Sequence, residues 1–171
     1  AYTPGMEITG GSLGHGLGIA VGAALGLKRK QSNAFVYNML SDGELGEGST
    51  WEAVMSAVQW KLDNLIAIVD FNNQQADGPT LEVLATQEEA PKWAAFGWYA
   101  QEVDGNDLNA LVRAFDNARN HDGAQPRVII CRTKMCKGIP FLEQRESTHF
   151  IRVEADEWTK AIALLDEDKP L

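Results

Sequence analysis

Apolar residues concentrate in four short segments along the chain, and between these segments they recur every three or four positions. The short apolar segments have the length of strands, and the periodic segments indicate helices. Strands that are apolar throughout and alternate with helices predict an α/β fold, with a mostly parallel sheet and helices on both faces. The predicted strands span residues 34–40, 65–69, 98–103 and 128–133. The predicted helices span residues 19–30, 50–62, 87–96, 108–119 and 154–165, with mostly loop over 134–147.

The length of the chain indicates one domain. It has 171 residues, 44% of them apolar, which suffice for one sizeable core and hardly for two. No internal repeat, low-complexity tract or linker divides it. The chain does not begin with Met, and we expect a single domain over residues 1–171 that lacks its own N-terminal part.

Charge and cysteine content exclude several classes of protein. Twenty-four acidic residues against fifteen basic ones give a net charge of −9, which repels nucleic acid and anionic membranes at long range. A phosphate ligand must therefore be held locally, by backbone N–H groups, a helix N-terminus or a metal. No apolar stretch approaches the ~20 residues that span a bilayer. The two cysteines, Cys131 and Cys136, are expected to be free thiols in a reducing cytoplasm.

Polar residues follow two of the predicted strands at the point where each strand ends. Asp42 follows the first strand, and Asn72 comes shortly after the second. In an open α/β sheet, ligands lie beyond the carboxyl ends of the strands, and neighbouring strands are about 4.8 Å apart. A carboxylate and an amide oxygen at that separation suit a hard cation such as Mg²⁺ or Ca²⁺. The alternative is that Asp42 and Asn72 are only turn and cap residues, which both residue types favour.

A glycine and a predicted helix start lie between these two residues. Gly43 allows a diphosphate to approach the backbone closely. The following helix, which Ser49 or Thr50 is expected to cap, would point its free N–H groups toward the same place. An acidic chain can hold a diphosphate in this way without a basic patch.

The same segment carries a recognisable motif. It begins Ser41-Asp42-Gly43-Glu44-Leu45-Gly46-Glu47-Gly48 and ends Asp70-Phe71-Asn72. It resembles the thiamine diphosphate fingerprint of the transketolase family, which begins Gly-Asp-Gly and ends in Asn about thirty residues later. Upstream, the run Thr9-Gly10-Gly11-Ser12-Leu13-Gly14-His15-Gly16 resembles the glycine loop of this family. Later landmarks of the family are matched by Asp77-Gly78, Val103-Asp104-Gly105-Asn106-Asp107 and Lys137-Gly138, so the resemblance covers nearly the whole chain.

The resemblance implies a cofactor site. By it, Asp42, Asn72 and the backbone carbonyl of Gln74 bind a divalent metal, Mg²⁺ or alternatively Ca²⁺ or Mn²⁺. Gly43 and Asn72 also contact the diphosphate of thiamine diphosphate. Three residues of the glycine loop sit where the family contacts the aminopyrimidine side of the cofactor: Gly11, Ser12 and Leu13.

The resemblance also implies roles for two further residues, His149 and Glu47. His149 falls about where the family places a histidine near the cofactor and the substrate oxygen, although its local sequence differs. A histidine there suits proton transfer, and the alternative is a surface or core-edge imidazole. Glu47 matches an acidic residue that faces the partner chain in the family and couples the two cofactor sites. The alternative is a solvated surface carboxylate.

Two positions depart from the family pattern. Ser41 replaces the first Gly of the fingerprint. Because Ser is small, we expect it to keep the turn, although it adopts positive φ less freely than Gly does. His15 replaces the commoner Gln, and its side chain either reaches the cofactor or caps the loop. The glycines of this loop do not match the Gly-x-Gly-x-x-Gly dinucleotide motif, because position 19 is Ile.

The family resemblance implies transfer of a two-carbon ketol unit between sugars, usually phosphorylated. In the family, a second, pyrimidine-binding domain supplies the glutamate that acts on the aminopyrimidine ring, and this chain has no counterpart of it. We therefore expect the N-terminal subunit of a split transketolase, which forms a dimer or a dimer of heterodimers with a C-terminal transketolase subunit. Apolar surface around the glycine loop and residues 19–27 would then be partly interface.

Two classes of alternative remain open from the sequence. The first is a deoxyxylulose-phosphate synthase-like or two-oxo acid dehydrogenase-like thiamine enzyme component, which shares the diphosphate fingerprint. The second is a non-catalytic family member with a structural or regulatory role.

Overall fold

The computed structural model describes residues 3–84, 88–145 and 148–167. A parallel four-stranded sheet forms the centre of the fold, and a short antiparallel pair of strands follows its second strand. The strands are β1 (Val36–Ser41), β2 (Leu65–Phe71), β3 (Gln74–Gln75), β4 (Gly78–Pro79), β5 (Tyr99–Asp104) and β6 (Arg127–Arg132). The helices are α1 (Gly16–Arg29), α2 (Gly48–Gln59), α3 (Thr80–Val83), α4 (Glu89–Ala95), α5 (Leu108–Asn120), α6 (Pro140–Glu143) and α7 (Ala155–Glu167).

The sheet has the order β1-β2-β6-β5, and all its strands are parallel. Strand β2 lies inside the sheet and is almost wholly buried, which explains why its sequence is apolar without alternation. In the register of the sheet, Ser41 pairs with Asp70 and Phe71 pairs with Arg132. The carboxyl ends of β1, β2 and β6 therefore meet at one edge of the sheet.

Helices cover both faces of the sheet, as the sequence predicts. On one face, α1, α2 and α4 bury the larger apolar cluster against β1, β2 and β6. On the other face, α5 buries a smaller cluster through Ala114 and Ala118. The predicted α/β class and the mostly parallel sheet are confirmed.

The predicted boundaries differ from the observed ones by up to three residues. Helix α1 begins at Gly16, three residues earlier than predicted, because the preceding glycine loop closes directly into it. The stretch predicted as mostly loop contains α6, which has Pro140 in its first turn, where a missing N–H costs nothing. Residue 87, the start of the third predicted helix, and residues 146–147 of the predicted loop lie outside the described residues.

The predicted cap of α2 is wrong. The residue before the helix is Glu47, and its side chain makes no cap hydrogen bond. The Ser49 hydroxyl instead donates to the carbonyl oxygen of Gly14, and the Thr50 hydroxyl donates to that of Glu44. Both hydroxyls that the local sequence predicts as helix caps therefore form tertiary hydrogen bonds instead. A short 3₁₀ turn, Gly43–Gly46, lies between β1 and α2, and Asp42 caps it.

Within the described ranges, no helix is long and apolar enough to cross a membrane. Both cysteines are free, with Cys131 buried and Cys136 partly exposed. The free thiols agree with the sequence-based expectation.

Candidate functional site

Asp42 and Asn72 follow neighbouring parallel strands. Asp42 comes directly after β1, and Asn72 comes directly after β2, which pairs with β1 along its length. The ladder extends to Asp42 itself, whose N–H donates to the carbonyl oxygen of Asp70 at 3.1 Å. The predicted adjacency of these strand ends is confirmed, so both side chains lie at the edge where α/β sheets bind ligands.

The Asp42 carboxylate is buried and held only by neutral donors. Its side chain is about 1% exposed. Its Oδ1 accepts from the Gly43 N–H and its Oδ2 from the Thr80 hydroxyl, both at 2.9 Å, and the Asn73 N–H also donates to it. Burial raises the pKa of Asp42, and the nearby charge of Asp70 adds to this rise, while the three hydrogen bonds oppose it.

Asn72 begins the loop that brings Thr80 back to Asp42. Its Oδ1 accepts from the Gln74 N–H at 2.9 Å, which closes a tight turn across Asn73, a residue with φ of 63°. Strands β3 and β4 then form a hairpin, and the Thr80 N–H donates to the Asn73 carbonyl oxygen at 3.0 Å. The loop is therefore folded against the end of β1.

These oxygens fit a hard divalent cation. No basic side chain among the described residues forms an ion pair with Asp42, so its buried charge lacks a counterion. The amide oxygen of Asn72 keeps a second lone pair beyond its bond to Gln74. Nowhere in residues 3–84, 88–145 and 148–167 do three or more His, Cys, Asp or Glu side chains form a metal cluster. A cation at this edge would therefore rely on amide and backbone oxygens beside one carboxylate.

The backbone at Gly43 is partly covered. A Cβ added there would lie 3.5 Å from Cγ of Gln75, which is ordinary contact. A diphosphate that approaches this backbone must therefore displace the flexible Gln75 side chain. The sequence predicts a loss of conformational freedom at Ser41, at a turn with positive φ. This loss does not arise, because Ser41 belongs to β1 and has no positive φ. The Ser41 hydroxyl accepts a hydrogen bond from the Glu44 N–H.

The glycine loop, residues 10–15, lies against the start of α2. Gly14 is buried, with a φ of 79° that suits glycine. Its N–H donates to Oε1 of Glu44 at 3.0 Å, and its carbonyl oxygen accepts from the Ser49 hydroxyl at 2.8 Å. The three residues predicted to meet the cofactor are all exposed on this loop: Gly11, Ser12 and Leu13. The His15 ring bonds the Leu13 carbonyl oxygen at 3.0 Å, so it supports the loop itself.

The remaining predicted residues lie at the surface. Glu47 is exposed directly before α2, and its Cβ lies close to the buried Gly14. His149 is also exposed, and its ring meets Phe150 edge-on, with a centroid separation of 4.7 Å. His149 forms no hydrogen bond or ion pair with the rest of the described chain, so no direct contact joins it to the Asp42 edge.

Sequence reasoning missed three residues that organise this site: Glu44, Ser49 and Thr80. Glu44 and Ser49 lie inside the recognised fingerprint, yet their target is the glycine loop, at least thirty positions upstream. Thr80 follows the Asp77-Gly78-Pro79 turn, and only the folded loop brings it to Asp42. No local pattern distinguishes these hydroxyls and this carboxylate from ordinary capping residues.

An open cleft of about 550 Å³ lies elsewhere on the same edge of the sheet. It is lined by residues at the ends of β5 and β6, including Arg132 and Asp104. Arg132 is already paired there with Glu102 at 2.9 Å. This cleft contains neither Asp42 nor the glycine loop, so its size does not identify it as the cofactor site.

Comparison with known proteins agrees with the motif and the fold. A family model described as the transketolase, thiamine diphosphate binding domain matches residues 1–166. The chain is 69% identical to a transketolase family protein of Sinorhizobium fredii, over 97% of this chain and 60% of that protein. It is 41% identical to one subunit of the apulose-4-phosphate transketolase of Actinobacillus succinogenes, over 97% of this chain and 59% of the relative.

Further relatives include a second transketolase subunit and solved structures. A 6-deoxy-6-sulfo-D-fructose transketolase subunit of a Clostridium species is 37% identical over 97% of this chain and 60% of its own length. The transketolase structure from Campylobacter jejuni superposes with a TM-score of 0.74 and 31% identity, over 81% of this chain and 22% of that one. The chain thus spans about 60% of the length of the first relatives.

Proposed function

Because the chain belongs to the transketolase family, we propose that it is the diphosphate-binding subunit of a two-chain transketolase that moves a two-carbon ketol unit between sugars. The observation that carries this proposal is the buried Asp42 carboxylate, which lacks a counterion and lies beside Asn72 at neighbouring strand ends. A cation at that edge would satisfy the carboxylate and hold a diphosphate.

In this proposal the metal is bound by Asp42, Asn72 and the backbone carbonyl of Gln74. All three donors are oxygens, which suit Mg²⁺ and also Ca²⁺ or Mn²⁺. Gly43 and Asn72 contact the diphosphate, for which the Gln75 side chain moves aside. The Thr80 hydroxyl keeps Asp42 aligned and favours its ionised form.

The glycine loop provides the second contact with the cofactor. Gly11, Ser12 and Leu13 are exposed and lie on a loop fixed at Gly14, which supports their role at the aminopyrimidine side. When bound, thiamine diphosphate supplies the carbanion chemistry of ketol transfer. The protein's part is to position the cofactor and to stabilise charge.

His149 is proposed to act as the acid or base near the substrate oxygen. Its exposure leaves the ring available to a substrate, and Phe150 packs against one edge of it. An imidazole ring can donate or accept a proton at that oxygen.

The partner is proposed to be a chain that carries the pyrimidine-binding domain. Apolar side chains of the glycine loop, the residues before it and α1 are at least 46% exposed, which supports an interface there: Met6, Ile8, Leu13 and Ile19. Glu47 lies beside this surface and would face the partner. Relatives that are named as one subunit of a transketolase support an assembly of two chain types, either a dimer or a dimer of heterodimers.

The substrates are proposed to be sugar phosphates or similar anionic sugars. Relatives are named for apulose 4-phosphate and for 6-deoxy-6-sulfo-D-fructose, both of which carry an anionic group. A cytoplasmic location is part of the proposal, since the two free thiols suit a reducing compartment.

The test is to purify the protein with the chain that accompanies it and to assay that complex. A complex that transfers a ketol unit from a ketose phosphate to an aldose phosphate, only with thiamine diphosphate and Mg²⁺, supports the proposal. Release of CO₂ from pyruvate without ketol transfer would assign the protein to the decarboxylating thiamine enzymes instead. No turnover and no cofactor binding by the complex would indicate a structural or regulatory role.

A further inference from the structure

Both backbone polar groups of Gly14 are bound by side chains of the fingerprint segment. The Gly14 N–H donates to Glu44, and its carbonyl oxygen accepts from Ser49. Glu44 lies in the 3₁₀ turn that connects the end of β1 to α2, and Ser49 lies in the first turn of α2. The glycine loop is thus fixed at one point to the same segment that carries Asp42.

Glu44 is itself held firmly enough to serve as an anchor. Its residue is buried, at 8% exposure. Its N–H donates to the Ser41 hydroxyl, and its carbonyl oxygen accepts from the Thr50 hydroxyl. Because hydrogen bonds hold the backbone N–H and carbonyl groups of Glu44, Oε1 of its buried carboxylate has a nearly fixed position. The bond to Gly14 therefore costs little additional conformational entropy.

The Glu44 carboxylate also lies near the start of α1. His15, the residue before that helix, makes no side-chain cap bond. A Cβ added at Gly16, the first residue of α1, would lie 3.7 Å from Oε1 of Glu44. A negative charge at this end is favoured by the helix dipole. Glu44 therefore orients the glycine loop and the helix that follows it.

Close packing leaves no room for a different arrangement at Gly14. A Cβ added there would lie 2.4 Å from Oγ of Ser49 and 2.8 Å from Cβ of Glu47. Its φ of 79° would strain any other residue in addition. Glycine is required at this position because the loop backbone packs directly on the start of α2.

We propose that Glu44 and Ser49 are positioning residues, which hold the glycine loop in the conformation that receives the aminopyrimidine side of thiamine diphosphate. This inference rests on the proposed function of the site. Their bonds to Gly14 keep the exposed residues 11–13 ordered before the cofactor arrives, which lowers the entropic cost of binding it. Among the described residues, neither of the two side chains bonds Asp42 or Asn72, the residues proposed to hold the metal and diphosphate.

The first test measures the anchor without any ligand. Amide hydrogen exchange at Gly14 is expected to accelerate by about tenfold in Glu44→Ala, because one net hydrogen bond is lost. Ser49→Ala is expected to accelerate it less, since it removes only the bond to the carbonyl. Ser56→Ala is the matched control, because this hydroxyl of α2 bonds only the Glu52 carbonyl oxygen. Unchanged exchange at Gly14 in Glu44→Ala would overturn the proposal.

The second test distinguishes a positioning role of Glu44 from a general loss of structure in the variant. We expect Glu44→Ala to weaken binding of thiamine diphosphate with Mg²⁺ by about tenfold and binding of inorganic diphosphate with Mg²⁺ by less than about twofold. Glu44→Gln keeps an acceptor oxygen and should lose less. Asp116→Asn, on exposed surface of α5, should bind both ligands as the wild type does. Equal losses for the two ligands would show a merely structural role and overturn the proposal.

The two proposals fail in distinguishable ways. If the wild-type protein with its partner chain binds neither ligand, the proposed function fails, and exchange at Gly14 still decides whether Glu44 anchors the loop. If both ligands bind and Glu44→Ala leaves both affinities unchanged, the positioning role fails while the proposed function stands.

Discussion

The Thr80 hydroxyl donates a 2.9 Å hydrogen bond to Oδ2 of Asp42, and both residues are buried. The bond joins the end of β1 to the loop that returns from β2. Burial raises the pKa of Asp42, and the bond from Thr80 is the largest effect that lowers it again. Thr80 thus favours the ionised carboxylate that a metal requires.

Thr80→Val should impair metal binding most strongly at low pH. The variant removes the donor, so the pKa of Asp42 rises further and protons compete better with the metal. We expect Mg²⁺-dependent binding of thiamine diphosphate to weaken by about fivefold to tenfold at neutral pH, with its pH profile moved upward. Thr80→Ser keeps the hydroxyl and serves as the control. A pH profile that matches the wild type would contradict this role of Thr80.

Asp42→Asn should stabilise the metal-free protein at neutral pH while it removes metal binding. The folded state holds the Asp42 proton more tightly than the unfolded chain, because burial raises this pKa. Stability therefore falls as the pH rises from the unfolded to the folded pKa, and the ionised carboxylate costs stability above both. We expect a Tm higher by a few degrees at pH 7, since about 1 kcal/mol corresponds to roughly 2–4 °C at this size.

Differential scanning calorimetry at several pH values measures this effect. The difference between Asp42→Asn and the wild type should shrink as the pH falls below the unfolded pKa of Asp, where both side chains are neutral. Mg²⁺ with thiamine diphosphate should raise the Tm of the wild type alone. If Asp42→Asn is less stable than the wild type at neutral pH, the buried Asp42 carboxylate does not destabilise the metal-free protein, and the prediction is wrong.

Arg127 should be important for stability and irrelevant to the cofactor. It is 3% exposed and donates to five backbone carbonyl oxygens of the surrounding turns: Asp63, Ala118, His121, Gly123 and Gln125. Arg127→Met should lower the free energy of unfolding by about 3 kcal/mol, because several of these carbonyls lose their donor. Urea denaturation measures it, with exposed Arg119→Met as the control. A loss no larger than the control's would refute this assignment.

The two thiols should differ sharply in reactivity. Burial, with a contribution from the charge of Asp70, raises the pKa of Cys131 to about 11. At pH 8 roughly one Cys131 in a thousand would be a thiolate, and the side chain is also shielded from reagents. Iodoacetamide should therefore label the native chain once, at the partly exposed Cys136, and the unfolded chain twice. Mass spectrometry that finds Cys131 labelled as fast as Cys136 would disprove the prediction.

The fold and the adjacency of the strand ends that carry the candidate site were largely predictable from the sequence. A continuous apolar run identifies a parallel strand because a strand buried on both faces needs apolar residues throughout, as at residues 65–69 of β2. Once the strands are known, Asp42 and Asn72 must lie at their carboxyl ends. The adjacency of β1 and β2 completes the argument, and the structure has it.

The supporting contacts were not predictable, because they depend on which segments meet in space. Ser49 and Thr50 fit the local pattern of a helix cap, yet they bond Gly14 and Glu44. Thr80 lies 38 positions from Asp42 and follows a turn whose path the sequence does not specify. From the local sequence alone, a side-chain hydroxyl has many equivalent hydrogen-bond partners. Only tertiary packing determines which partner it bonds.

Asp42 is proposed to bind a metal that holds the diphosphate of thiamine diphosphate. Isothermal titration calorimetry of the protein with its co-purifying chain tests it most directly. We expect saturable binding of thiamine diphosphate with Mg²⁺, no binding after chelation of the metal, and an affinity at least about a hundredfold lower in Asp42→Ala. Binding that is equally tight without metal, or in Asp42→Ala, would contradict it.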